Sequence, residues 1–173
     1  MIIYNQAFDL YHAVYRMLQL LSKFDKDEFV ELERLRIWDF YLLFPGKIFE
    51  LKPKKNEKDF KIKLKQFAVL KNNPYELVYD NRKVFEKIKP YQVSALNCLV
   101  SYGIIDKELL LLNRVSVISK DLLDEYTKKL VELTPRELNI ITILTSDFYQ
   151  ISMFGKGGFK ERTNLLESKY DAR

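Results

Sequence analysis

The chain has 173 residues, 47% hydrophobic and 31% charged, with a formal net charge of +5. That length suits one domain with a sizeable core, and the composition excludes a disordered polymer. Five glycines and five prolines are too few for a β-sandwich with many tight turns. The single cysteine, Cys98, excludes an internal disulfide, and the single histidine, His12, leaves no protein-only zinc site. No apolar run reaches the roughly 18 residues of a membrane helix. The start, Met-Ile-Ile-Tyr-Asn-Gln, lacks a signal-peptide pattern, so the expected location is the cytoplasm.

Asn5 is placed to cap a helix running to about Ser22, with Ala7, Tyr11, Val14, Leu18 and Leu21 inward and Asp9, His12 and Arg16 as polar insertions. Asp27 is placed to cap a second helix whose first turns hold Glu28, Glu31 and Glu33, acids suited to the positive end of the dipole. That helix continues into Leu-Arg-Ile-Trp-Asp-Phe-Tyr-Leu-Leu-Phe-Pro at 35–45, which holds the only tryptophan, Trp38. The segment is apolar all the way round and so has no solvent face, and it is expected to be buried on several sides. Its two charges, Arg36 and Asp39, stand one turn apart and are expected to satisfy each other. Pro45-Gly46 ends the helix, and a short one is expected from Lys47 to Leu51.

The basic character is local: from Lys47 to Lys89 there are 13 Lys and Arg against 6 Asp and Glu. After an exposed loop, the stretch from Asp59 to Lys71 interleaves lysines with Phe60, Ile62 and Leu64; Phe60, Leu64, Phe67 and Ala68 fit one face of a helix. Lys52, Lys54, Lys55, Lys58, Lys61, Lys63 and Lys65 form a candidate patch for nucleic acid or an acidic partner, against the plainer reading of a solvated helix face.

Asn72-Asn73-Pro74-Tyr75 reads as a turn, and a helix is expected from Glu76 to Lys89. Pro90 restarts the chain in the first turn of the next helix, Tyr91 to Tyr102, with Val93, Leu96, Leu99 and Val100 inward and Gly103 as C-cap. A short helix at Lys107 to Leu111, a turn at Asn113 and the β-branched run Val115-Ser116-Val117-Ile118 follow, in the order of a winged helix-turn-helix. Ser119 or Lys120-Asp121 starts a helix to about Glu132. Thr134-Pro135-Arg136-Glu137 starts another to Met153, with Leu138, Ile141, Leu144, Phe148 and Ile151 inward. The expected fold class is mainly α: a compact multi-helix single domain over 1–173. It has a winged helix-turn-helix-like part at about 76–119, a short β wing, and C-terminal helices at about 120–173.

Few constellations carry chemistry. Gly155-Lys156-Gly157-Gly158 lacks the spacing of a phosphate loop and follows a helix, so it reads as a helix break. Asp39 with Asp59-Phe60-Lys61 is a half-match to a metal-dependent nuclease, but Asp39 lies in the most apolar segment. Cys98 and His12 have no third orienting group, and Cys98 reads as core. No catalytic, cofactor or metal residue is assigned.

Three blocks carry a family resemblance: Ala-Phe-Asp-Leu-Tyr-His at 7–12, the stretch at 35–45, and Gly-Gly-Phe-Lys-Glu-Arg-Thr-Asn-Leu-Leu-Glu-Ser-Lys-Tyr-Asp-Ala at 157–172. Together they resemble the middle component, family five, of bacterial ABC three-component conflict systems, with Phe8, Asp9, Arg36, Trp38 and Asp39 as the structural motif. The resemblance implies a non-enzymatic adaptor without cofactors. It would join an SMC/ABC-type ATPase to an effector of nuclease type in antiphage or antiplasmid defence, as in Lamassu-like systems, reaching DNA through the complex and not a membrane. Lys160, Arg162, Glu167, Lys169 and Tyr170 form a candidate partner-interface tail. A stand-alone winged-helix DNA-binding regulator is the alternative.

Overall fold

A computed structural model describes residues 5–24, 28–51, 54–55, 57–67 and 80–166 of the chain. Lys52, Glu167, Lys169 and Tyr170 lie outside the described residues, as do the predicted cap Asp27, the turn at 72–75 and the helix start at Glu76. The described chain is mainly helical with one two-stranded antiparallel sheet, as the sequence leads one to expect. Among the described residues, no helix is long and apolar enough to cross a membrane.

Asn5 caps only a 3-10 turn, Gln6–Phe8, and Asp9 caps the first helix, α1 (Leu10–Lys23), accepting from the His12 amide at 2.8 Å. This second cap turns the inward face. Ala13, Met17, Leu20 and Leu21 are buried with Leu18, whereas Tyr11, expected inward, is 85% exposed. Arg16, one of the polar insertions, is buried.

The residues expected to open the second helix instead form strand β1 (Val30–Glu31), antiparallel to β2 (Arg114–Val115) with Val30 opposite Val115. Long-range pairing overrides the local helical signal here, since a β-branched residue at the centre gains a fully buried position. Helix α2 (Leu32–Leu43) follows, and every residue from Arg34 to Leu42 is buried. The expectation of a helix without a solvent face holds, because α1, α4 and α7 all pack against it. Its C-terminal continuation is a 3-10 helix, Pro45–Glu50.

Helix α3 (Lys58–Phe67) bears out the helical reading of the lysine stretch, with Phe60 and Leu64 buried and Ile62 exposed. It docks on α7 and the segment after it, where Phe60 lies 5.1 Å from the Phe148 ring.

Pro90 does not separate two helices. It lies inside the single helix α4 (Asn81–Ser101), capped by Asp80. Proline removes the bond to the Glu86 carbonyl, but Glu86 and Pro90 are both on the exposed side, where water can satisfy that group. Helix α4 ends as expected at Gly103, whose φ is +72°. The Gly103 amide donates to Val100 and the Ile104 amide to Leu99, and Leu99 and Ile104 are buried together. Val93 is only half-buried, whereas Gln92, which the periodicity did not single out, is fully buried.

Helix α5 (Lys107–Leu111), the left-handed Asn113 and β2 occur in the expected order, and an isolated bridge joins Ile105 to Val117. Helix α6 (Lys120–Lys128) is capped by Ser119 and stops short of Glu132. Helix α7 (Pro135–Thr145) begins with the expected Thr134–Glu137 capping box but ends well before Met153. Thr142, Thr145 and Ser146 donate their hydroxyls back to the carbonyls of Leu138, Ile141 and Thr142, a pattern that bends and weakens a helix end. Leu138, expected inward, is 41% exposed; Ile141, Leu144 and Phe148 are buried. The Gly155–Gly158 break precedes the short helix α8 (Phe159–Thr163). There a Cβ on Gly158 would sit 2.7 Å from the Phe154 carbonyl oxygen, so only glycine allows this approach. Leu165 and Leu166 fold back into the core beyond α8.

Candidate functional site

The motif of the 35–45 block builds a buried polar network, though not the pair that its spacing suggests. Asp39 accepts from Arg16 of α1, Nε to Oδ1 at 2.5 Å and Nη2 to Oδ2 at 3.3 Å. Arg36 turns to α4 and donates from Nε to Oε1 of Gln92 at 2.9 Å. Gln92 joins the two halves, its Nε2 donating to Asp39 Oδ2 at 2.8 Å and to the Arg36 carbonyl at 3.1 Å. An amide is the group that can accept from a guanidinium while donating to a carboxylate, and these partners fix its orientation. Arg36 also stacks on Phe85, 4.3 Å from the ring centroid, and reaches Glu86 at 3.7 Å. Burial pulls the Arg36 pKa below its ordinary value, against the opposing pull of Glu86.

Arg16 carries the network outward by donating to the Gln6 carbonyl at 3.0 Å, which ties the Gln6–Phe8 turn to the 35–45 block. Trp38 is fully buried and packs against both Phe24 and Tyr149. Phe8 packs edge-on against Tyr91, 5.9 Å between centroids. His12 sits beside Tyr15, ring centroids 6.3 Å apart. Cys98 is half-buried on α4, not in the core proper.

Arg34 was not anticipated. It pairs with Glu31 at 2.7 Å and donates from Nη1 to the carbonyls of Phe148 and Ile151, both at 3.0 Å. It thereby holds the segment that follows α7 onto α2. Burial pushes the Glu31 pKa up, but the hydrogen bond and charge of Arg34 outweigh it and leave the carboxyl below its ordinary value.

A sequence signal for these arginines exists. In the first 46 residues the cations within the expected helices are Arg16, Arg34 and Arg36, while the sequence places Lys23 and Lys26 in the expected loop between them. Arginine suits buried multidentate bonding and lysine a solvated charge.

The lysine patch separates into two sets. Lys54, Lys55, Lys58, Lys61 and Lys65 are exposed. Lys63 points toward α7 and pairs with Asp147, Nζ to Oδ1 at 2.8 Å and Oδ2 at 3.0 Å. Of the candidate tail, Lys160 is half-buried, and Arg162 is taken up inside the molecule. Its guanidinium grips both oxygens of Glu57 at 2.7 and 3.0 Å and donates to the Gly157 carbonyl at 3.0 Å. The Arg162 hydrogen bond holds the Glu57 carboxyl below its ordinary pKa.

Beside this clasp a cleft of about 410 Å³ opens between α3 and the glycine turn. Its cations Lys54, Lys156 and Arg162 face Glu57, Asp59 and Asp147, so the cleft has no net charge with which to cradle phosphate. Asp39 and Asp59 do not converge either. Asp39 is fully buried on α2, and Asp59 is exposed on α3.

Large apolar side chains are exposed along one stretch of chain: Tyr102 at the end of α4, Leu111 and Leu112 at the end of α5, and Ile118 after β2. Leu111 and Leu112 are 69% and 65% exposed.

No curated protein and no solved structure is significantly similar to the chain. The family model for the ABC-three component (ABC-3C) system Middle Component 5 matches residues 2–171, which takes in the first two sequence blocks, all but the last residue of the third, and both halves of the buried network. The chain therefore belongs to the Middle Component 5 family of ABC-three component systems.

Proposed function

We propose that the chain is the non-catalytic connecting subunit of its system, holding an SMC-type ABC ATPase and a nuclease-type effector in one antiphage or antiplasmid complex of Lamassu-like design. The observation that carries this reading is the family match over residues 2–171, to a component of a multi-part system. The architecture is in keeping with it. The buried charges Arg16, Arg36 and Asp39 join helices, and Arg34 holds the segment after α7 onto α2. The exposed Tyr102, Leu111, Leu112 and Ile118 offer apolar surface to a partner subunit.

The test is expression of the tagged chain from its native operon. The expected result is co-purification with an ATPase and an effector encoded beside it. A Leu111→Ser/Leu112→Ser/Ile118→Ser variant is expected to keep its melting temperature and lose a partner. Wild-type protein that emerges alone at moderate salt would rule the reading out.

A further inference from the structure

We infer that the outward face of α3 is a sequence-independent contact for the phosphate backbone of duplex nucleic acid, made by Lys55, Lys58, Lys61 and Lys65 and not by Lys63. Lys58, Lys61 and Lys65 project on the side of α3 away from Phe60 and Leu64, which bury against α7. With a rise of about 1.5 Å per residue they run along about 10 Å of helix, a line of cations matched to a line of phosphates. Lys55 extends the line at the preceding turn.

None of these four lysines forms an ion pair among the described residues, whereas Lys63 is held by Asp147 and Glu57 is held by Arg162. The two carboxylates that flank the patch are thus neutralised from other directions, and the exposed Asp59 is the acid left beside the lysine line.

The residue types decide between classes of partner. Protein interfaces rely on aromatic and arginine anchors, but this face carries lysines and one exposed isoleucine, Ile62. Five of the arginines are employed elsewhere: Arg16, Arg34, Arg36 and Arg162 inside the fold, and Arg82 on Asn164 at 2.7 Å. Lysine presents a mobile point charge without the rigid fork that reads guanine, so the contact is with phosphate and carries no base preference.

The experiment is fluorescence anisotropy of the isolated full chain with a mixed-sequence DNA duplex between 50 and 200 mM salt. Four phosphate contacts predict a log–log slope of about −3.6, which is about a 150-fold loss of affinity over that range. The Lys58→Gln/Lys61→Gln/Lys65→Gln variant is expected to bind more weakly at 50 mM and to lose only about 3-fold across the range, its slope having fallen to about −0.9. Lys23→Gln/Lys107→Gln/Lys128→Gln removes the same charge from exposed lysines elsewhere and is expected to keep the wild-type slope.

Three results would overturn the inference: no salt-dependent binding by the wild type, a wild-type slope in the α3 variant, or equal effects in both variants. An α3 variant that binds duplex normally but loses a co-expressed partner subunit would also overturn it and assign the face to an acidic protein. Because the isolated chain is used, failure here leaves the connecting role intact.

Discussion

Arg36 and Asp39 lie one turn apart on α2 and each bonds to Gln92 of α4: the arginine donates to its oxygen and its nitrogen donates to the aspartate. Two charges that spacing pairs directly are instead joined through a neutral amide. The direct carboxylate partner is Arg16 of α1, so three helices meet at one buried point.

The variant Asp39→Ala removes the acceptor from Arg16, which is 4% exposed and has no solvent to replace it. Removing one partner of a buried pair typically costs 3–5 kcal/mol, so a loss of about 3 kcal/mol or more is expected in urea or thermal unfolding. A variant with unchanged stability that no longer assembles would show that the 35–45 block acts as an interface.

Substituting Gln92→Glu keeps the shape and alters the hydrogen-bond logic. The introduced carboxyl faces Asp39 at about the 2.8 Å now occupied by an amide donor. The like charge and burial raise its folded pKa above the usual value, so the folded state binds the proton more tightly than the unfolded state. Stability of this variant is expected to rise as pH falls from about 8 toward 5, because the protonated carboxyl can donate as the amide did. Wild-type melting temperature over the same range should change much less, and parallel curves would refute the assignment of Gln92 as the donor.

Glu57 and Arg162 make an acid-sensitive clasp. The Glu57 pKa is lowered in the fold, so its contribution is complete above about pH 4.5, its ordinary value, and is lost as pH falls through the lower folded value. Arg162→Gln should therefore melt below the wild type at pH 7, and the gap should narrow by pH 3.5. A gap that is the same at both pH values would mean the clasp does not contribute through charge.

The capping box at Thr134 offers a local probe. The Glu137 amide bonds the Thr134 hydroxyl at 3.3 Å and the Thr134 amide donates to the Glu137 carboxylate at 2.8 Å. Thr134→Ala is expected to cost about 1 kcal/mol, and Thr134→Ser close to nothing. Equal losses in the two variants would indicate that the methyl group, not the hydroxyl, matters at this position.

Lys63→Met tests how α3 is held. Its pair with Asp147 is half-exposed, so a loss within about 1 kcal/mol is expected. If unfolding instead shows α3 detaching at much lower denaturant than the rest, this pair contributes more than Phe60 and Leu64 do.

What the sequence by itself determined were the features governed by neighbouring residues. The buried character of 35–45, the helix at the lysine stretch, the Gly103 end of α4, the Asn113 turn and the Thr134 cap all follow from local periodicity and backbone preferences, which operate over a few residues. The three sequence blocks likewise carry the likeness to the family that matches residues 2–171.

Only the tertiary structure decided the rest. Glu31 became strand because Arg114 was there to pair with it, and α4 ran on through Pro90 because that side faces water. Arg16, Arg34 and Gln92 turned inward to partners far away in sequence, and Arg162 was drawn to Glu57. A polar side chain's direction depends on which distant group can satisfy it, and that is set only when the helices meet. For the same reason Lys63 looks identical to Lys61 and Lys65 in the sequence, yet its charge is neutralised within the fold and theirs remain on the surface.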